Sequence, residues 1–129
     1  KYATDNKIFV NLSTNFSINY SNEYLENFLK SGLGNLVIDV DGTTQETYGQ
    51  YRIGGKLETV LENTRKAVKF KKENNLKFPI ITTKMLVMKH NEHQIDDFKK
   101  LSKDFIFTLV VKNKFFSLLK NFNNFCFLL

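Results

Sequence analysis

The alternation of short apolar runs with helical repeats restricts this chain more than any single motif does. Lys7 to Ser13 (KIFVNLS) is nearly continuous in Ile8, Phe9, Val10 and Leu12, the pattern of a strand buried on both faces. Ser21 to Ser31 places Tyr24, Leu25, Phe28 and Leu29 on one helical stripe, with Glu23 in the first turn and Gly32 where a helix stops. Asn35 to Val40 is a second apolar strand, closed by Asp41-Gly42. Thr43-Thr44-Gln45-Glu46 then reads as a capping box opening a short helix that ends near Arg52, before Gly54-Gly55. Leu57 to Asn74 repeats Leu57, Val60, Leu61, Thr64, Ala67 and Val68 at helical spacing. After Pro79 come a third strand, Ile80 to Val87, and an N-x-x-Q capping signature at Asn91–Gln94. A helix faced by Ile95, Phe98 and Leu101 and a fourth strand, Phe105 to Val111, complete the series. Strand–helix–strand–helix–helix–strand–helix–strand predicts a parallel α/β sheet with covering helices.

No Gly/Pro/Ser-rich linker divides the chain, so residues 1–112 read as one domain followed by a distinct hydrophobic tail, 113–129. In the tail, Phe115, Leu118, Leu119, Phe122, Phe125, Cys126 and Leu129 share one helical stripe. An amphipathic helix covering an exposed edge and an out-of-frame extension of an AT-rich gene both account for it. The wealth of Phe, Asn and Lys fits such a coding sequence, so single residues of these types say little about function.

A formal charge of +6 permits nucleic-acid or acidic-membrane partners without pointing to them. The densest lysines, Lys66, Lys69, Lys71 and Lys72, alternate with Val68 and Phe70 as on the solvated face of a helix. No nucleic-acid partner is therefore expected. The N-terminal residues are polar and no apolar run has the length of a membrane span, so a cytoplasmic protein is expected. A single cysteine, Cys126, rules out an internal disulfide framework and a multi-cysteine metal site made by this chain alone. It lies in an apolar setting without charged neighbours and reads as an incidental thiol.

In parallel α/β folds, reactive groups gather at the C-terminal ends of the strands. That rule selects Thr14 and Asn15, then Asp39, Asp41 and Gly42, then Lys89 to Asn91, with Arg52 and Gly54-Gly55 following the second strand. Asp39 and Asp41 share parity on one strand and face one side, a pairing suited to acid–base or metal work, although Asp41 equally serves an Asp-Gly turn. His90 and His93 flank Glu92, but no third metal ligand follows from the spacing and a helix start is the plainer reading. Gly54-Gly55-Lys56 lacks the rest of a phosphate loop.

Several of these segments together carry a resemblance. Ser13-Thr14-Asn15, Gly32-Leu33, Asp41 to Tyr48 (DGTTQETY), Tyr51 to Leu57 (YRIGGKL), Val60 to Asn63 (VLEN) and Leu86 to Gln94 (LVMKHNEHQ) resemble radical S-adenosylmethionine (SAM) enzymes of the SPASM-associated type. The likeness runs in order over about residues 1 to 104. It implies an incomplete (β/α) barrel of about four parallel strands, the third to sixth of the family's six, with the first two lying before Lys1. In the family a C-x3-C-x2-C loop after the first strand holds a 4Fe-4S cluster, and a Gly-Gly-Glu-type motif after the second holds the SAM amino group. Neither motif occurs here. The chain is thus expected to be a fragment of an enzyme that cleaves SAM to a 5′-deoxyadenosyl radical, inactive alone and binding neither cofactor stably. A non-catalytic interaction module built on the half-barrel is the alternative, with self-association through the open sheet edge.

The resemblance also implies cofactor-facing residues. Asp39 stands where the family has a SAM-binding serine, Asp41 begins the matching Asp-Gly, and Arg52 matches an arginine that reaches the SAM carboxylate or ribose. Thr14-Asn15 matches a Thr-Asn-Gly turn at the active-site mouth, with Phe16 in place of glycine and a positive φ expected there. Lys84 lies on a strand whose inward positions approach SAM or substrate.

Overall fold

The computed structural model describes residues 2–103 and the backbone of 106–111. The tail 113–129, with Cys126, lies outside the described residues, as do Asp104 and Phe105. The fold is mixed α/β, built on an open parallel sheet in which β1 (Asn11–Thr14), β2 (Asn35–Asp39) and β3 (Ile80–Val87) lie side by side in chain order. Asn11 pairs with Asn35 and Thr14 with Ile38, while Asn35 pairs with Ile80 and Asp39 with Lys84. The backbone of β4 (Ile106–Val111) runs parallel beside β3.

Helices fill the connections. A short α1 (Tyr2–Asp5) precedes β1, α2 (Asn22–Leu29) follows it, and α3 (Gln45–Tyr51) and α4 (Leu57–Glu73) lie between β2 and β3. A 3₁₀ turn, Glu92–Gln94, leads from β3 into α5 (Ile95–Leu101). Ser21 caps α2 through its Oγ, which accepts from the Tyr24 amide. Gly32 takes φ 91° just past the helix, the conformation expected of a stop residue.

The two faces of the sheet differ in chemistry. Leu36, Ile38 and Val40 on one side of β2, with Ile81, Met85 and Val87 of β3, are buried against Leu25, Leu29, Tyr48, Val60, Ala67 and Phe98 of the helices. The opposite parity holds Asn11 and Ser13 of β1, Asn35, Val37 and Asp39 of β2, and Thr82, Lys84 and Leu86 of β3. Thr82 Oγ1 donates to Asn35 Oδ1 across this polar face.

Three local expectations need correction. The strand expected from Lys7 begins at Asn11, and it is exposed rather than buried on both faces. Lys7 adopts φ 60° and turns the chain out of α1, Ile8 closes that turn through its amide to the Ala3 carbonyl, and Ile8 and Phe9 stay 56% and 58% exposed. The cap of α3 is Thr44, whose Oγ1 accepts from the Thr47 amide; Thr43, one residue earlier, gives its amide to Gln94 Oε1 instead. Asn91 and Gln94 do not form a capping box at all. Both are buried and their amides reach back to the turn after β2, so this polar pair is spent on tertiary bonds.

Candidate functional site

The C-terminal end of β2 carries a compact set of charges. Asp39 is the last residue of the strand, on the polar face, and its register partner Lys84 lies beside it. Lys84 Nζ stands 2.8 Å from Asp39 Oδ1. Ser13 at the end of β1 donates from Oγ to the same carboxylate at 3.3 Å and 3.4 Å, and accepts from Lys84 Nζ at 3.3 Å. From the far side, Arg52 Nη2 approaches Asp39 Oδ2 at 3.4 Å. One carboxylate thus receives two cations and a hydroxyl.

Asp41 has another role. Only 1% of it is exposed, and its Oδ2 accepts from Arg52 Nε at 2.8 Å and lies 2.6 Å from Arg52 Nη2. Its Oδ1 accepts from the Leu86 amide at 2.9 Å. The residue therefore orients the guanidinium with one oxygen and ties the end of β2 to β3 with the other, where an Asp-Gly turn alone had been the competing reading. Gly42 makes this possible: a Cβ there would stand 2.6 Å from the Tyr48 amide nitrogen, so the turn packs directly on α3.

Asn91 completes the clamp. Its Nδ2 donates to the carbonyls of Asp41 (3.0 Å) and Leu86 (2.9 Å), and its Oδ1 accepts from the Met88 amide at 2.7 Å. Gln45, at the start of α3, bonds the Gly55 carbonyl through Nε2 and accepts the Leu57 amide through Oε1. The Arg52–Lys56 turn is fastened by these bonds over Tyr48. Tyr48 is fully buried and its hydroxyl has no hydrogen-bond partner among the described residues.

The electrostatics follow from this packing. Partial burial works against the Arg52 charge, but the hydrogen bond and charge of Asp41, then the charge of Asp39, outweigh it and hold the guanidinium above its ordinary pKa. Burial is the main reason that the Tyr48 phenol titrates above its usual value; Arg52 pulls it down, and Asp41 and Asp39 push it up.

Of the residues singled out from sequence, Asp39, Asp41, Arg52 and Lys84 come together. Thr14 and Asn15 do not. Thr14 shares the parity of Ile38 and accepts from the Phe16 amide; Asn15 accepts from the Ser17 amide. Both serve the turn that holds Phe16, which is buried with φ 52° as expected. Asn63 of α4 secures that turn by donating to the Phe16 and Ile18 carbonyls. Ser13 also belongs to the cluster, although nothing in the sequence around it marks it; the register of β1 with β2 brings it to the face of Asp39. For His90 and His93 no further ligand is at hand among the described residues, where no group of three or more His, Cys, Asp or Glu is placed to hold an ion. Two of the α4 lysines pair with acids of their own helix, Lys66 with Glu62 and Lys69 with Glu73, and Lys71 donates to the Leu76 carbonyl. No described helix is long and apolar enough to cross a membrane.

No family model, curated protein or solved structure matches this chain. The chemistry of the site rests on its own residues.

The donor set can be weighed against the cofactors that the resemblance implies. A 4Fe-4S cluster held by three thiolates does not fit a chain with one cysteine. SAM fits in kind. Its methionine end is a zwitterion, and the cluster offers both signs of charge and a hydroxyl. Every one of these groups is already partnered within the cluster, however.

Proposed function

We propose that the chain is part of a radical SAM-type barrel and that Ser13, Asp39, Arg52 and Lys84 form its cofactor-facing wall, without the iron–sulfur ligands. In this reading the open sheet is an incomplete (β/α) barrel of about four strands, and its polar face is the lumen. The observation that carries the reading is convergence. Residues from two family-like segments, Asp39-x-Asp41-Gly42 and Arg52, meet Lys84, from a strand whose inward positions approach SAM or substrate in the family, at the C-terminal end of one parallel sheet. That end is where ligands of such folds sit. Arg52 would hold a SAM carboxylate or ribose, and Asp39 would accept from ribose hydroxyls. In the parent enzyme SAM supplies the radical, and the residues of this chain bind and orient it.

The test is a titration of the isotopically labelled chain with SAM, followed by NMR. Amide shifts confined to the ends of β1, β2 and β3 and to Arg52, and lost in Arg52→Ala, are expected. An unchanged spectrum up to the solubility limit of SAM refutes the reading. Anaerobic iron–sulfur reconstitution gives a second check: a stoichiometric cubane signal from this chain alone would overturn the ligand count.

One observation favours the interaction-module reading. The outer edge of β1 is unpaired among the described residues, and Ile8, Phe9 and Leu12 beside it are exposed. Such an edge invites pairing with another strand. Concentration-dependent association in sedimentation velocity, abolished by a Leu12→Lys change, is the outcome that this reading requires.

A further inference from the structure

We infer that Ser13, Arg52 and Lys84 form a cradle for a small carboxylate, and that Asp39 occupies it from within the chain. The inference rests on geometry and stands whether or not the chain is a radical SAM fragment.

Asp39 has the surroundings of a bound ligand. A residue at a strand end needs one partner at most for its charge, whereas this carboxylate has Lys84 at 2.8 Å, Ser13 Oγ at 3.3 Å and Arg52 Nη2 at 3.4 Å. The three donors arrive from β1, β3 and the turn after α3, so they surround the group rather than line it up along one element. Arg52 is held independently of Asp39, by Asp41 through Nε and Nη2, and Lys84 Nζ also donates to Ser13 Oγ within the cradle.

Removing the Asp39 carboxylate leaves Lys84 with no acid to neutralise its charge, beside Ser13 Oγ and a guanidinium that Asp41 keeps in place. A cation deprived of its counter-charge next to a fixed guanidinium favours an anion. The site is also within reach of solvent, since the side chains of Lys84 and Arg52 are 25% and 26% exposed. A free carboxylate of acetate size matches the group displaced. In the native chain an external carboxylate must displace Asp39, so the cradle is closed to it.

The test compares wild type with Asp39→Ala and Asp39→Asn. Each labelled chain is titrated with sodium acetate, with sodium chloride balancing the ionic strength, and the amides of Ser13, Arg52 and Lys84 are followed by NMR. Acetate should bind Asp39→Ala about tenfold more tightly than wild type, the factor equivalent to one charge-assisted hydrogen bond at its lower range. Adding Lys84→Ala should abolish the gain. Asp39→Asn keeps the side-chain shape, guards against a folding failure in the alanine variant, and should bind acetate better than wild type does. Equal acetate binding by wild type and either folded variant overturns the inference, as does a response spread over the α4 lysines. A parallel SAM titration separates the two ideas. Acetate bound without SAM upholds the cradle and removes the cofactor reading; SAM bound without acetate does the reverse.

Discussion

Replacing Asn91 probes the clamp that keeps the site together. Asn91→Asp is nearly isosteric and keeps the bond accepted from the Met88 amide, but it loses both donations, to the Asp41 and Leu86 carbonyls. Asn91 is fully buried, so water cannot replace what is lost. An unsatisfied buried acceptor costs about 1–3 kcal/mol, so two of them imply a loss of about 2–6 kcal/mol. The new carboxylate also faces two carbonyl oxygens, which places Asn91→Asp toward the upper end. Asn91→Ala loses all three bonds but adds no charge, and a loss of about 3 kcal/mol is expected. For a domain of ordinary stability, about 5–15 kcal/mol, either change is a large share. Urea unfolding followed by circular dichroism measures it. Because Asp41 holds Arg52, the Arg52 Nε resonance should also shift in both variants. Variants within about 0.5 kcal/mol of wild type would show that the buried amide does not join the strand ends, and the account of the site would fall with it.

Tyr48→Phe removes a buried hydroxyl that has no partner among the described residues, so the variant should be more stable by about 1 kcal/mol, measured by thermal unfolding near neutral pH. The folded phenol titrates above its ordinary 10.0, so its contribution to stability is complete below that pH and is lost as the pH rises through the higher folded value. The phenylalanine variant should show a shallower alkaline decline than wild type; identical declines would place the titration elsewhere. Val37→Asn on the polar face should cost less than about 1 kcal/mol, whereas Ile38→Asn against the helices should cost about 3 kcal/mol or more. Equal costs in urea unfolding would mean that the polar face is covered.

The elements were legible where local chemistry and burial agree. Leu57, Val60, Thr64 and Ala67 repeat at helical spacing because that stripe packs on the sheet, and α4 lies where the spacing put it. Phe16 at a glycine-like position pointed to a left-handed residue, and the backbone there is left-handed. Legibility failed where side chains act across the fold. Asn91 and Gln94 have the spacing of a capping box, and nothing local tells such a pair from one spent on a turn fifty residues away in the chain. Ser13 was passed over because it becomes distinctive only when β1 lies in register with β2. Thr14 and Asn15 were chosen by their place at a strand end, which fixes neither the parity of the one nor the turn bonding of the other.

The polarity of the sheet argues most directly about architecture. A doubly wound sheet is covered by helices on both sides, so both parities of its central strands read as apolar. Here β2 alternates: Leu36, Ile38 and Val40 enter the core, while Asn35, Val37 and Asp39 face the other way. The alternation on β3 is looser: Met85 and Val87 enter the core and Lys84 faces the other way, but Leu86 and the buried Thr82 share its side, and Thr83 on the helix side donates its hydroxyl to Ser102. A layer of helices over Asp39 and Lys84 would bury charges that are now partly open to water. Among the described residues the charged end of this face stays partly open to water, and the cluster sits at its C-terminal edge. Asp39 belongs to both features: its parity places it on that face, and its position at the end of β2 brings it to Arg52.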